Sequence, residues 1–250
     1  MPKNNKYSQI QPCKELQDFI DSFWEFNNST NKTLKKPIVP DSFFKIVFFV
    51  KDKKVVSYFI TGLFTEKKEV NIPPNVTVYG CRLKILAPEF LVKMEVASLL
   101  QGMKKLDTSF LNLIEFDLID FESIVKQWEN EFLKLVPTSV ADKKLNLSRL
   151  LDAYKGDIRA KEVSEKVFWS NRQINRYLNN HIGISLKKYL NIQKVYSSFE
   201  AISKGEFFPD KNYFDQAHFI REVKKHTGET PQNLHNKQND RFIQLKDIKS

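Results

Sequence analysis

Glycine is scarce in this chain, seven in 250 residues and each isolated from the others, so no Gly-rich loop can cradle a nucleotide's phosphates. HExxH and the Gly-x-Ser-x-Gly nucleophile turn are missing too, and with them the zinc-protease and serine-hydrolase chemistries they support. The two cysteines, Cys13 and Cys81, stand far apart with no CxxC and no neighbouring histidines. Two such thiols make neither a disulfide framework nor a zinc site, and both are expected to be free in a reducing compartment. No apolar run approaches the roughly 18–20 residues of a membrane span, and MPKNNKYSQI holds no signal-peptide core. The expectation is a cytoplasmic, non-enzymatic protein with no cofactor, no bound metal and no membrane partner.

What is present is basic charge, and it is unevenly placed. The net charge is +10; residues 1–140 hold 19 Lys and Arg against 17 Asp and Glu, whereas residues 141–250 hold 21 against 13. A positive field of this kind suits a polyanion, because neutralising phosphates releases condensed counterions. It also suits a surface kept soluble by lysine, so charge alone leaves both readings open. The four histidines (His181, His218, His226 and His235) all lie in the basic part.

The chain is long enough for one large domain or two smaller ones, each with its own core. In the first part, Leu16, Phe19, Ile20, Phe23 and Trp24 follow helical spacing and predict a short amphipathic helix. PDSFFKIVFFV, VVSYFITGLF and VTVYGCRLKIL read as strands, with Pro73-Pro74 breaking the chain between the last two. PEFLVKMEVASLL, opened by Pro88, and DFESIVKQWENEFLKL, ended by Pro137, read as helices. Asp117 and Asp120 read as solvated charges near helix starts. After PTSVADKK the β-type runs vanish and helical period takes over. The domains expected are 1–140, α+β with a small β-sheet and helices, and 145–240, all-α, with a tail at 241–250. The boundary falls near residues 137–146.

Within the basic part, VFWSNRQINRYLNNHIGISLKKYL (Val167 to Leu190) has no acidic residue. With Ser170 as an N-cap, Ile174 and Leu178 share one face with Tyr177 beside them. Arg172, Asn175, Arg176 and Asn179 share the other. Arginine pairs with guanine and asparagine with adenine in a major groove, although a solvated polar face looks the same. Upstream, AKEVSEKV predicts a short helix with Val163 and Val167 inward, joined through Phe168-Trp169 as a helix-turn-helix. Downstream, ISLKKYLNIQKVYSSFEAISKG predicts one helix of about 30 Å, able to join two reading heads. In the second head Asp215 caps a helix burying Phe219 and Val223. Ala217, Arg221, Lys224 and Lys225 point outward with His218 at the edge. Gly228 stops that helix, and Thr230-Pro231 opens another.

GDIRAKEVSEKVFWSNRQINRYLNNHIGISLKKYL, followed by DQAHFIREVKKHTGETP, resembles the DNA-binding domain of AraC/XylS-type bacterial transcription regulators over residues ~145–235. The resemblance implies two helix-turn-helix subdomains joined by a long helix. Base contacts would come from Arg172, Asn175 and Arg176 in the first, and from Gln216, Ala217, His218 and Arg221 in the second. Ser170, Asn171 and Lys188 would lie near phosphates, and Asn179 and Lys224 complete the candidate DNA-binding set. Promoter DNA and RNA polymerase are the implied partners. Pro40-Asp41, Gly62 and Gly80 to Arg82 resemble an uncharacterised domain found ahead of such modules. It would sense a small-molecule effector or form a homodimer; its Phe43, Phe44, Phe48, Phe49, Tyr58 and Phe59 either pack a core or line a pocket.

Two departures from the family pattern stand out. Phe168 occupies the turn where the family has glycine, and Pro209 lies where the second head's bracing helix is expected. The second head is expected either to dock loosely or to be propped by Phe207, Phe208 and Tyr213 packing as a loop. A sequence-specific regulator binding double-stranded DNA is therefore set against a non-specific DNA-binding or protein-interaction module with an eroded second head.

Overall fold

The aromatic and β-branched runs of the first half pair into sheet. In the computed structural model, which describes residues 6–208 and 213–236, a six-stranded antiparallel sheet runs in the order β1-β2-β7-β4-β5-β8. Its strands are β1 (Lys6–Ile10), β2 (Ile20–Asn28), β4 (Phe44–Lys51), β5 (Lys54–Thr61), β7 (Val76–Leu83) and β8 (Met103–Lys105). A second ribbon pairs β3 (Leu34–Ile38) with β6 (Lys68–Ile72).

Both faces of the large sheet are covered. On one, Phe23 stacks on Trp128 of α1 (Phe121–Leu133) and Phe48 meets it edge-on, at 5.6 and 5.0 Å between ring centroids. On the other, Trp24, Phe26, Val76 and Val78 form a smaller apolar cluster with Ile72, Leu34 and Val70 of the ribbon. Trp24 lies over the backbone of its cross-strand partner Gly80, where an added Cβ would come within 2.2 Å of the indole. Only glycine lets a ring approach so closely. The Pro40-Asp41 and Gly80-to-Arg82 motifs meet at one buried spot: Asp41 sits 2.7 Å from Lys45 and 4.0 Å from Arg82.

Two expected helices are absent. Residues 16–24 form a turn at Lys14–Leu16 and the start of β2, not an amphipathic helix. Because β2 is hydrogen-bonded on both edges and covered on both faces, its apolar run mimics helical spacing. Residues 88–100 break into two short turns, Pro88–Val92 and Ala97–Leu99, with Lys93 left-handed at φ 52°. Burial of Leu91, Val92 and Val96 fixes this segment against the rest of the core.

From residue 142 the chain is helical: α2 (Asp142–Tyr154), α3 (Ala160–Val167), α4 (Asn171–Ile182), α5 (Leu186–Ser197), α6 (Phe199–Ser203), α7 (Gln216–Thr227) and α8 (Pro231–Asn236). The long helix expected after Gly183 is interrupted at Ser198, whose N–H bonds to the Val195 carbonyl at 3.1 Å. Its hydroxyl also donates to that carbonyl, at 2.7 Å, and such back-bonding bends helices. The segment around Pro209, the end of the expected 145–240 domain and the expected tail at 241–250 lie outside the described residues.

The link between α1 and α2 contains the expected boundary, yet the hydrophobic core runs straight across it. Leu147, Leu151, Val163, Ile174, Leu178 and Ile182 belong to the same cluster as Phe44, Phe48 and Trp128. Ion pairs flank this join, Arg149 holding both carboxylate oxygens of Asp18 (2.9 and 2.8 Å) and Lys84 meeting Asp152 at 2.7 Å. The last helices have a separate core of Val195, Phe199, Ile202, Tyr213, Phe219, Val223 and Leu234, joined by Val39 of the first half. Among the described residues no helix is long and apolar enough to cross a membrane, and no group of His, Cys, Asp or Glu could hold a metal ion.

Candidate nucleic-acid interface

Helix α4 is fixed at both ends by its own sequence. Ser170 and Gln173 form a reciprocal capping box: the Gln173 N–H donates to Ser170 Oγ at 3.3 Å, and the Ser170 N–H to Gln173 Oε1 at 3.1 Å. At the other end Gly183, left-handed at φ 83°, donates its N–H to the Leu178 and Asn179 carbonyls. A side chain there would come within 2.9 Å of the Ala97 carbonyl oxygen, so this cap also rests against the first half. Ile174, Leu178 and Ile182 are fully buried, each contributing about 1.5–3 kcal/mol, more than the ~1 kcal/mol of a good cap. Val163 and Val167 bury the inner side of α3, and the two helices are joined through Phe168, Trp169 and Ser170. Phe168 is left-handed (φ 52°, ψ 42°), as its place at the end of α3 requires.

The back of α4 is held by a carboxylate from the first half. Glu89 accepts from Tyr177 Oη at 3.0 Å, pairs with Lys144 and lies 3.9 Å from His181 Nε2. Burial and the neighbouring carboxylate push the Tyr177 phenol well above its ordinary range, so it stays a hydrogen-bond donor.

The other face of α4 is open. Ser170, Asn171, Arg172, Arg176 and Asn179 are exposed and no carboxylate lies on that face. Asn175 departs from the expected outward set. It is half-buried; its Oδ1 accepts the Leu186 N–H at 3.0 Å and its amide donates to the Asn171 carbonyl at 2.8 Å. The side chain fastens the start of α5 and is not free to read a base.

The second basic helix, α7, is capped by Asp215, whose carboxylate accepts the His218 N–H at 2.6 Å, and it closes at left-handed Gly228. Gln216, Ala217, Arg221, Lys224 and Lys225 are exposed, with His218 half-exposed and its Nδ1 accepting the Phe214 N–H. Aromatic rings support this head: Phe208 and Tyr213 pack on Phe219 at 6.5 and 5.0 Å, and Phe207 meets His235 at 5.5 Å. Thr230 caps α8 through the Asn233 N–H at 3.3 Å. Between the start of α3, α5 and the basic helix α7, a cleft of about 760 Å³ is lined by Arg159, Lys187, Lys188, Lys194, Lys225 and Glu222. Glu222 is bonded to Asn191 of α5, which ties the head to its scaffold. The cleft's Arg159, Lys187 and Lys194 were not singled out by the sequence, because separate elements bring them together.

In the first half a smaller apolar cavity, about 120 Å³, lies between the large sheet and the ribbon. Trp24, Val47, Phe49, Phe59, Val70 and Ile72 line it, and Lys45 and Arg82 also reach its wall. Phe44, Phe48 and Tyr58 pack in the main core instead.

A family model described as a domain of unknown function (DUF6597) matches residues 8–102. No curated protein sequence matches the chain. Among solved structures the chain is similar to an apo point variant of ToxT from Vibrio cholerae strain SCE256, at 11% identity and TM-score 0.46, covering 86% of this chain and 97% of that one. It is also similar to ToxT from Vibrio cholerae in a P21 crystal form, at 12% identity and TM-score 0.43, covering 93% and 97%. A third likeness is to wild-type ToxT with an unsaturated fatty acid bound, at 9% identity and TM-score 0.38, covering 93% and 94%.

Proposed function

We propose that the chain is a sequence-specific transcription regulator of the AraC type, binding double-stranded DNA through two helix-turn-helix heads. In this reading α4 and α7 are the groove-entering helices, α3 and the aromatic loop before α7 brace them, and α5–α6 set their separation. The observation that carries it is the face of α4: Arg172, Arg176 and Asn179 stand exposed and free of carboxylates on a helix capped at both ends and anchored in the main core. Two arginines one turn apart suit bidentate contacts to guanine O6 and N7. The basic cleft between the heads suits the phosphates between two successive major grooves, and the ~27 Å length of α5–α6 is of the order of one duplex turn.

The test is binding of the full chain to duplexes selected from a random library, against unselected DNA, across salt concentrations. A regulator favours its site by about 10³-fold or more. Arg176→Ala is expected to cost about 1–3 kcal/mol on the selected site and to relax preference at one base pair. A uniform loss on all duplexes would make Arg176 a phosphate contact. Equal affinity for selected and unselected DNA would favour the second reading, a non-specific binding module; the loop-braced second head is the observation on its side.

The apolar cavity behind the ribbon is the place in the first half where a small effector would be sensed. Its wall of Trp24, Val47, Phe49 and Phe59 is apolar, and the Lys45 ammonium is turned to Asp41, which suits an apolar molecule.

A further inference from the structure

Two phenylalanines stand almost wholly in solvent, Phe214 at 92% and Phe168 at 84% exposure, more than any other large apolar side chain among the described residues. Both stand just ahead of a basic helix. Phe168 lies two residues before Ser170, the N-cap of α4, and Phe214 immediately precedes Asp215, the N-cap of α7. In each head the adjacent aromatic residue turns inward: Trp169 packs on Tyr177 at 5.4 Å, and Tyr213 on Phe219 at 5.0 Å.

Folding does not account for either exposed ring. A residue just before an N-cap commonly staples onto the helix's fourth position, here Phe219, but Phe208 and Tyr213 already cover that ring. Phe168 is held in the left-handed region, which glycine enters without penalty and a bulky side chain does not. An exposed aromatic residue at each helix mouth, strained at Phe168, points to a surface that the rings meet outside the chain.

We infer that Phe168 and Phe214 read thymine methyl groups. The inference rests on α4 and α7 being groove-entering helices: their N-terminal residues lie nearest the base edges, and the two rings stand two residues and one residue ahead of the caps that open them. The apolar group a major groove offers is the thymine 5-methyl, and phenylalanine is among the side chains that contact it. Each head then combines polar readers with one apolar reader at its mouth. Arg172 and Arg176 serve the first head and Gln216 and Arg221 the second.

The experiment uses the full chain and a duplex selected by it from a random library. Each thymine is replaced in turn by deoxyuridine, which removes the methyl group and leaves pairing intact, and affinity is read by fluorescence anisotropy at fixed salt. Deoxyuridine at one thymine per head is expected to weaken binding about 4-fold, the factor that burying one methyl supplies. Phe214→Ala and Phe168→Gly, checked for folding by circular dichroism, should each weaken binding to the thymine duplex. Each should also stop responding to deoxyuridine at its own position and still respond at the other. Specific binding with no response to deoxyuridine at any thymine overturns the methyl assignment and leaves the regulator reading standing. So do variants that lose affinity equally on both duplexes. If no duplex is preferred over random DNA, the regulator reading falls and takes this inference with it.

Discussion

At Asn175 the side chain that an outward helical face would use to recognise adenine is spent on the chain itself. Helical spacing places it beside Arg172 and Arg176, but spacing does not reveal that α5 begins close enough for its first N–H to be claimed. That outcome depends on the Gly183 turn, and a residue's neighbours in its own helix carry no record of it. Phe168 is the opposite case, because its strain is legible from the sequence: a bulky residue stands where a left-handed turn wants glycine, and φ is 52°. Phe168→Gly is therefore expected to stabilise the fold. Relief of about 1 kcal/mol corresponds to a melting temperature about 2–4 °C higher in a chain of this size. The same substitution is expected to weaken DNA binding, so a melting curve and a binding curve moving in opposite directions would separate strain from function. A fall in melting temperature would show that the ring supports the fold after all.

Elements whose ends are written in local chemistry were legible in advance. Helices α3, α4 and α7 have their apolar stripes where spacing puts them, with Ser170 and Asp215 as caps and Gly183 and Gly228 as stops. Strands β4, β5 and β7 were legible from their aromatic runs. The short strands β1, β3, β6 and β8 were not, because they are held by pairing with distant partners more than by their own side chains. Residues 88–100 failed as a helix for a related reason: contacts with α4 and burial in the shared core outweigh a local preference worth tenths of a kcal/mol per residue. That same segment supplies Glu89, which sequence offered no reason to single out. Glu89→Ala is expected to lower stability by about 1–3 kcal/mol, because the buried Tyr177 hydroxyl loses its acceptor. Urea unfolding measures this. An unchanged midpoint would mean that solvent replaces the carboxylate without cost.

At the scale of the whole molecule the division that matters physically is not between first half and second. Helices α3 and α4 share the main core with the sheet, whereas α6, α7 and α8 keep their own, attached through α5 and Val39. His226 lies in that second unit, 5% exposed, with its ring Nδ1 2.9 Å from the Glu222 carbonyl oxygen. Burial, with Lys225 and Lys188 nearby, pushes its pKa below the ordinary histidine value of 6.5, although Glu222 pulls the other way. In the unfolded chain His226 takes up a proton near pH 6.5, and in the folded chain only at lower pH. Stability from the neutral ring is thus complete above that pH and is lost as pH falls through the window below it. Hydrogen exchange is expected to show α7 and α8 opening as pH drops from 7 toward 5 while β4 and β7 keep their protection. Uniform loss across both units, or an α7 indifferent to pH in this range, would contradict it.

The contact between Gly183 and Ala97 bears on how this chain can change over time. A helix-stopping glycine ordinarily tolerates asparagine, which also enters the left-handed region. Here any side chain would meet the Ala97 carbonyl, so the substitution would strain the contact as well as the cap. A residue that marks the end of one helix is also a seat for the other half of the molecule. A side chain at Gly183 is therefore expected to disturb the seat of the first half as well as the end of α4.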